Sequence, residues 1–371
     1  MSEDADHQPF PRRDWLLLPL VVIGTALALS LIAEVISRAL FVESGKFTCA
    51  VYVNNIMRQK PNCVSYYKNA EGPNVAYRFN NCGYRSPDAC GPKPAGAARV
   101  VFMGTSLTMG LHVREEDMFP VRTERALRQQ GRRVDAQNLA GLMTLEQQIG
   151  FTPEALALSP DVIVLTVMPW DLEELAKPEP APAASPTKPP GRLRAMLQDI
   201  NMQMRGSKTV FAVAHFIFQD PQTVYRYYLT EGHSREVIGS PLSATGKQMY
   251  DGFAFVMGGF MSRVRKAGVR VIVVAAPNRV TAAIVSTSAH VERTDAWSFG
   301  RRVCSIATAA GAVCVDTTPD FARVPEAERL FYAVDNHPTG EGHAVIAKAI
   351  TARLLDGSLS RLATTSALAS R

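Results

Sequence analysis

Long basic runs are missing from this 371-residue chain. Lys and Arg number 40 against 34 Asp and Glu, a net charge of +6. They occur in ones and twos and never as a block beside aromatics, so the electrostatic footprint of a nucleic-acid binder is lacking. No Cys-x-x-Cys and no His-Glu-x-x-His occurs, and no His stands at zinc-ligand spacing from a Cys. These absences argue against a zinc site and against metal-dependent hydrolysis. Neither a metal nor another cofactor is expected. There is no internal repeat, which excludes a solenoid.

What is present is ordinary globular material, 47% hydrophobic and 20% charged, with ample apolar residues for a core. Length alone allows two domains. From Trp15 to Ala33 no residue is charged, and Glu34 and Arg38 mark the exit of the run. That is about the ~20 residues a helix needs to cross a bilayer. A cleaved secretory leader is the alternative, with Ala26-Leu-Ala28 as a cleavage site. An uncleaved anchor is the expectation, because the apolar run outlasts a usual leader core. Arg12 and Arg13 on one side face Arg38, Lys46, Arg58 and Lys60 on the other, so positive charge does not settle the orientation. All six cysteines (Cys49, Cys63, Cys82, Cys90, Cys304, Cys314) follow the apolar run. An even set without metal spacing suits disulfides in an oxidising compartment. Cys304 is expected to pair with Cys314, and the other four among themselves. The bulk of the chain is therefore expected on the periplasmic or extracellular side of a membrane.

The chain divides as follows. Residues 1–14 are a tail, 15–40 the anchor and 41–96 a Cys-rich, loop-rich neck. Residues 97–357 form the main domain, with an insertion at 177–245, and 358–371 are a second tail. In the main domain short apolar runs recur: Val100–Gly104, Val134–Leu139, Val162–Val167, Val269–Ala275 and Ala312–Asp316. Helical spacing appears at Phe119–Gln130, with Phe119, Val121, Ala126 and Leu127 as its buried face, and at Gly340–Leu355. Short apolar strands separated by helices indicate a parallel sheet in an α/β fold. Such sheets bind ligands beyond the carboxyl ends of their strands. The insertion begins with a Pro- and Ala-rich lead from Lys177 to Gly191, then turns helical from Arg192 to Thr230 and carries many aromatics. Core packing is expected for those aromatics, with a lid or a membrane contact as alternatives.

Two segments carry chemistry. Gly104-Thr-Ser-Leu-Thr-Met-Gly110 places hydroxyl residues just after a strand. Asp335-Asn-His337-Pro sits just before the last helix. A carboxylate two residues from a His can fix its tautomer, and that His can activate a serine, a weak nucleophile when unaided. Together the segments resemble the first and last blocks of the SGNH/GDSL hydrolases. Asn138-Leu-Ala-Gly141 resembles the second block. Asn80-Asn-Cys-Gly-Tyr-Arg85 and Val113-Arg-Glu-Glu-Asp-Met-Phe-Pro120 are similar to segments of membrane-anchored members. The resemblance covers roughly residues 77 to 355, the insertion apart. It implies a flavodoxin-like three-layer α/β/α fold with a five-stranded parallel sheet, and ester or acyl-transfer chemistry. It casts Ser106 as nucleophile, His337 as base and Asp335 as its orienter. The N–H groups of Ser106 and Gly141 become oxyanion donors.

The chain departs from the family pattern twice. Thr105 stands where the family has Asp. Trp170, in Met168-Pro-Trp-Asp171, stands where an Asn side chain normally completes the oxyanion hole. A missing donor costs roughly 3 kcal/mol of transition-state stabilisation. The Trp170 indole N–H is the expected substitute, with Asn138 or Asn278 as alternatives. Asp171 reads as a helix cap, Arg85 as a neck salt bridge, and His343 as a packing residue or, alternatively, the base. The expected activity is that of a serine esterase or O-acyltransferase acting on acyl groups, acetyl first among them, of a carbohydrate. The partners expected are thus an ester-bearing substrate and the membrane, with no nucleic acid. The rival reading is a catalytically weak glycan-binding or assembly-scaffold protein.

Overall fold

The computed structural model describes residues 13–175, 206–230 and 234–356. Most of the N-terminal tail, the whole lead-in expected at Lys177–Gly191, the first part of the helical stretch expected from Arg192 and the C-terminal tail lie outside them. The chain forms two units, one made of residues 1–42 and 188–215 and the other of the rest. In the first unit, helix α1 (Asp14–Leu40) exposes its apolar side chains, Val21, Leu29 and Leu31 each by more than 60%. From Leu17 to Leu40 it is long and apolar enough to cross a membrane, and it lies near the N-terminus, where a signal sequence has the same features. Near its end Glu34 accepts from the Ser207 hydroxyl at 2.7 Å and from the backbone N–H groups of Lys208 and Thr209 at 3.1 and 2.9 Å. A carboxylate there offsets the positive end of the helix that follows.

The second unit opens with the neck. Expected as loops, it contains two small antiparallel sheets. Strands β1 (Ser44–Gly45), β4 (Val64–Lys68) and β5 (Asn74–Arg78) form one; β2 (Ala50–Val53) and β3 (Ile56–Gln59) form the other. The β2–β3 hairpin turns on Asn54-Asn55, both at positive φ (49° and 60°), which is the demand of the tight turn that matches strand twist. Disulfides Cys49–Cys63 and Cys82–Cys90 staple it. Strands this short carry too few residues for a visible alternation.

The main sheet holds five parallel strands in the order β7-β6-β8-β9-β10. They are β6 (Ala98–Met103), β7 (Val134–Asn138), β8 (Val162–Val167), β9 (Arg270–Ala275) and β10 (Val313–Asp316). The expected runs thus locate all five. Ranked by sequence the order is 2-1-3-4-5, the flavodoxin-like arrangement, whose order reverses beside the first strand. Alternate residues face opposite layers. Val101, Met103, Ile163, Leu165 and Val273 pack on Phe253, Met257, Phe260 and Val264 of the helix Ala244–Lys266 and on Phe299 and Val303 of the helix Ser298–Ala309. Val100, Phe102, Val164, Ile272 and Val274 pack on Phe119 and Leu127 of the helix Phe119–Gln129 and on Ile346, Ile350 and Leu354 of the helix Gly340–Leu355. The result is the expected three layers.

Among the described residues the remaining α-helices are, in chain order, α2 (Ser106–Met109), α3 (Phe119–Gln129), α4 (Leu145–Gly150), α5 (Thr152–Ala157), α6 (Pro169–Leu175), α7 (Lys208–Ile217), α8 (Pro221–Thr230), α9 (Ser234–Ile238), α10 (Ala244–Lys266), α11 (Arg279–Thr287), α12 (Ser298–Ala309), α13 (Thr318–Ala322) and α14 (Gly340–Leu355). Cys304 pairs with Cys314, tying α12 to β10 as expected. Ala126, expected inside, is half-buried; the buried face of α3 runs instead through Thr123 and Glu124. Glu124 accepts the Ala136 N–H at 2.9 Å and pairs with Arg128.

Candidate active site

The turn after β6 answers why a buried strand stops at a glycine. Gly104 has φ +151°, and a Cβ there would lie 2.1 Å from the Thr108 hydroxyl and 3.2 Å from the Thr166 carbonyl. No side chain fits. Thr105 then caps α2 and Ser106 is its first residue, so the Ser106 N–H is one of the donors that a helix leaves without an internal partner. One turn later Gly110 ends the helix in the left-handed region, where a Cβ would meet Met118 at 2.5 Å. Ser106 is thereby presented at the carboxyl end of β6, beside the point where the strand order reverses.

Two buried residues brace this turn. The Thr105 hydroxyl donates to Asp171 Oδ1 at 2.8 Å, and Asp171 Oδ2 accepts the Met168 N–H at 2.7 Å. Expected as a helix cap, Asp171 is instead the third residue of α6 and accepts the N–H of the residue that precedes the helix, and it joins the turns after β6 and β8. Burial pushes its carboxyl up to about 7, against the pull of these two hydrogen bonds. Among the described residues Arg85 makes no salt bridge, contrary to expectation. Fully buried over the Tyr77 ring at 4.1 Å, it donates to the carbonyls of Met109, Gly110 and Val113 at the end of α2. Burial lowers its pKa to about 10.

Across the cleft, His337 Nε2 lies 2.8 Å from Ser106 Oγ, and its Nδ1 lies 2.7 Å from Asp335 Oδ1. Burial raises the Asp335 pKa, but hydrogen bonds from His112 and His337 outweigh it and hold the carboxyl far below the usual range. An ionised carboxylate only accepts. His337 Nδ1 therefore carries the proton and Nε2 presents its lone pair to the serine hydroxyl. The loop is fixed from the neck, where the Glu71 carboxylate accepts the N–H groups of Val334 and Asp335 at 3.0 and 3.1 Å. It is closed on itself by the Tyr332 N–H donating to the His337 carbonyl at 2.9 Å.

His112 is the residue that sequence reasoning missed. Its Nε2 lies 3.1 Å from Asp335 Oδ2, so two histidines share one carboxylate. It is 5% exposed, and its Nδ1 has no hydrogen-bond partner among the described residues. Its backbone sits at φ +65°, clamped by Tyr77, which accepts its N–H at 2.8 Å, and by Tyr332, which donates to its carbonyl at 2.9 Å. The signal available in the sequence was only a histidine two residues beyond Gly110. His112, Asp335 and His337 are close enough to hold a metal ion, but Ser106 already occupies one imidazole and the carboxylate is taken up by the other two nitrogens.

The remaining candidates sort by their contacts. The Trp170 ring stands edge-on to His337, with centroids 5.1 Å apart. Gly141 follows β7 on the same side of the sheet. The amide of Asn138 donates to the Thr108 carbonyl at 2.9 Å, and that of Asn278 to the Ser234 hydroxyl at 3.2 Å. Both are committed elsewhere. His343 is buried, accepts the Phe119 N–H at 3.2 Å and stacks on its ring, and burial lowers its pKa to about 3. It is a packing residue and not a base.

No protein-family model matches the chain, and no curated protein matches it. Solved structures similar to it include a variant of Axe2, an acetyl-xylooligosaccharide esterase from Geobacillus Stearmophilus, at 15% identity and TM-score 0.38 over 69% of this chain and 93% of that one. A lipase/acylhydrolase from Enterococcus faecalis matches at 10% identity and TM-score 0.37 over 69% and 95%. A member of the lipolytic protein G-D-S-L family from Veillonella parvula matches at 11% and 0.37 over 71% and 100%. The last belongs to the family that the sequence blocks resemble, and the other two are an esterase and a lipase/acylhydrolase. At such identities and scores the likenesses carry no argument about this chain. Its fold rests on the strand order and its chemistry on the distances around Ser106.

Proposed function

We propose that this chain is a serine esterase or O-acyltransferase of SGNH type, acting on ester-linked acyl groups of carbohydrate. The observation that carries the reading is the chain of contacts from Ser106 Oγ to His337 Nε2 at 2.8 Å and from His337 Nδ1 to Asp335 at 2.7 Å. In the first step His337 takes the hydroxyl proton as Ser106 attacks the acyl carbon. The negative oxygen meets the N–H groups of Ser106 and Gly141, with the Trp170 indole in place of an amide side chain. The ester C–O bond breaks and the leaving alkoxide takes the proton from His337. Water or a sugar hydroxyl, deprotonated by His337, then resolves the acyl-enzyme. Each backbone donor is worth roughly 10²–10³ in rate.

The apolar helix α1 is proposed to anchor the protein in a membrane. The three disulfides support placing the second unit on the periplasmic or extracellular side. The rival reading, a glycan-binding scaffold with little turnover, draws on Trp170 and on the committed amides of Asn138 and Asn278. Labelling with a fluorophosphonate followed by peptide mapping tests between them. Label on Ser106 that disappears in His337→Ala is the expected result. A folded protein that takes no label and hydrolyses no acetyl ester refutes the esterase reading.

A further inference from the structure

Helix α7 inverts the usual pattern of a surface helix. Its exposed residues are Val210, Val213, Phe216 and Ile217, each by more than 40%. Its polar residues, Lys208, Thr209 and His215, are half-buried. Val210, Val213 and Ile217 recur at the spacing of one helix face, and a helix facing water turns such a stripe inward. The other side of α7 packs on the end of α1, within the first unit of the chain. Phe41, just past α1, meets the rings of Phe211 and His215 at centroid distances of 5.3 and 5.1 Å. Ala212 is buried. The Thr209 hydroxyl donates to Glu34 of α1 at 2.9 Å, beside the backbone N–H groups that the same carboxylate accepts. Packing, expected for the aromatics of the insertion, accounts for Phe211. It leaves the outward face of α7 apolar.

We propose that α7 lies in the surface of the membrane that α1 enters, with Val210, Val213 and Ile217 against lipid acyl chains. The tie to α1 selects lipid as the occupant of this face. As a helix, the uncharged run from Trp15 to Ala33 is about 28 Å long at ~1.5 Å per residue, close to the ~30 Å of a hydrocarbon core. Glu34, the first charge beyond it, marks the depth where hydrocarbon gives way to headgroups. The first turn of α7 is bound to that carboxylate, so α7 starts at the same depth. The apolar surface of α1 continues there, with Ile32, Val35 and Ile36 each more than 50% exposed on either side of Glu34. A helix as short as α7 does not span a bilayer. One with an apolar outer face at that depth lies in the interface plane, roughly 5–10 Å into the boundary of headgroups and acyl chains. The inference rests on the anchor reading for the depth of Glu34; lipid contact at Val213 is measured separately from it.

The test uses the purified full chain reconstituted into phosphatidylcholine vesicles, with a tryptophan placed at one exposed position at a time. Val213→Trp reports on α7. Ile23→Trp, near the middle of the uncharged run and 56% exposed, reports on the anchor. The emission added to that of the parent, which carries Trp15, Trp170 and Trp297, is read with brominated lipid and with aqueous iodide as quenchers. For Val213→Trp, lipid brominated near the headgroup is expected to remove at least half of the added emission, more than lipid brominated near the chain ends, and iodide to remove little. For Ile23→Trp the order of the two lipids reverses. Added emission of Val213→Trp that iodide quenches and brominated lipid does not overturns the proposal. So does protection from both quenchers, which assigns the face to a second copy of the chain. Lipid quenching in Ile23→Trp alone keeps the anchor and removes α7 from the bilayer. Lipid quenching in Val213→Trp alone keeps the α7 contact and removes the anchor. Val210→Trp, one turn earlier on the same face, repeats the measurement should Val213→Trp unfold by circular dichroism.

Discussion

The two arms of the proposed triad are held by different parts of the molecule. Ser106 stands on a turn fixed by the main sheet: Gly104 lies against Thr108 and Thr166, and Thr105 is tied to Asp171 after the neighbouring strand. Asp335 and His337 stand on a loop fixed by groups remote in sequence. Glu71 comes from the neck, Tyr228 from the insertion, and His112, itself held by Tyr77, from beyond α2. The turn around Ser106 is specified by close backbone approach and by one tie to the neighbouring strand's turn. The loop that keeps Asp335 and His337 in hydrogen-bond contact is bound by partners from three regions.

Substitutions can break that contrast. The largest effect is expected from Ser106→Ala, a loss of ~10⁴–10⁶-fold in kcat with the fold intact by circular dichroism; turnover within tenfold of the parent would remove Ser106 from the mechanism. Gly104→Ala comes next. It forces the turn off Thr108, and a displacement near 1 Å costs on the order of 10²-fold, read as kcat on a small aryl acetate. On the other arm, His112→Asn suits the left-handed backbone but withdraws the donor from Asp335 Oδ2. A fall in kcat of roughly 10–100-fold with KM little changed is expected, the worth of a hydrogen bond to a charged group. A parallel rise in KM, or no change, would reduce His112 to packing.

Two smaller effects sharpen the comparison on the stability side. The Asp171 pKa is raised to about 7 in the folded state from ~3.9 unfolded. The folded chain therefore binds the extra proton, and the stability this provides is full below pH ~4 and is lost as pH rises through 7. Asp171→Asn is free of that loss, so its Tm should gain on the parent's between pH 4 and pH 8. A gap between the two melting temperatures that does not move with pH would contradict the assignment. Removing Cys304–Cys314, which closes a separation of 10 residues on the far edge of the sheet, should lower stability by about 2–3 kcal/mol. Activity below the new Tm should remain, since no catalytic contact touches that edge.

How far the sequence could be read follows the same division. The five strands and α14 were legible because each is a continuous apolar run or a clean helical period. β7 was the faintest, and its polar residues explain why. Asp135 and Gln137 point inward yet are paired, with Arg99, with one another and with Asn80 of the neck. The neck's own sheets were read as loops because two- to five-residue strands show no period. Arg85 reads in sequence as a neck salt bridge, whereas the fold buries it against three carbonyls.

The sequence by itself determined the strands, the position of the serine turn and the Asp–His pair, because each has a signature within a few residues: a continuous apolar run, a glycine followed at once by hydroxyl residues, a carboxylate two positions from an imidazole. Only the tertiary structure decided that His112 shares Asp335, that Glu71 holds the base loop, and that Tyr228 of the insertion reaches the same loop. Those contacts join residues tens to hundreds of positions apart. Their partners are ordinary polar side chains, and nothing in the local pattern separates them from solvated ones until burial removes the water.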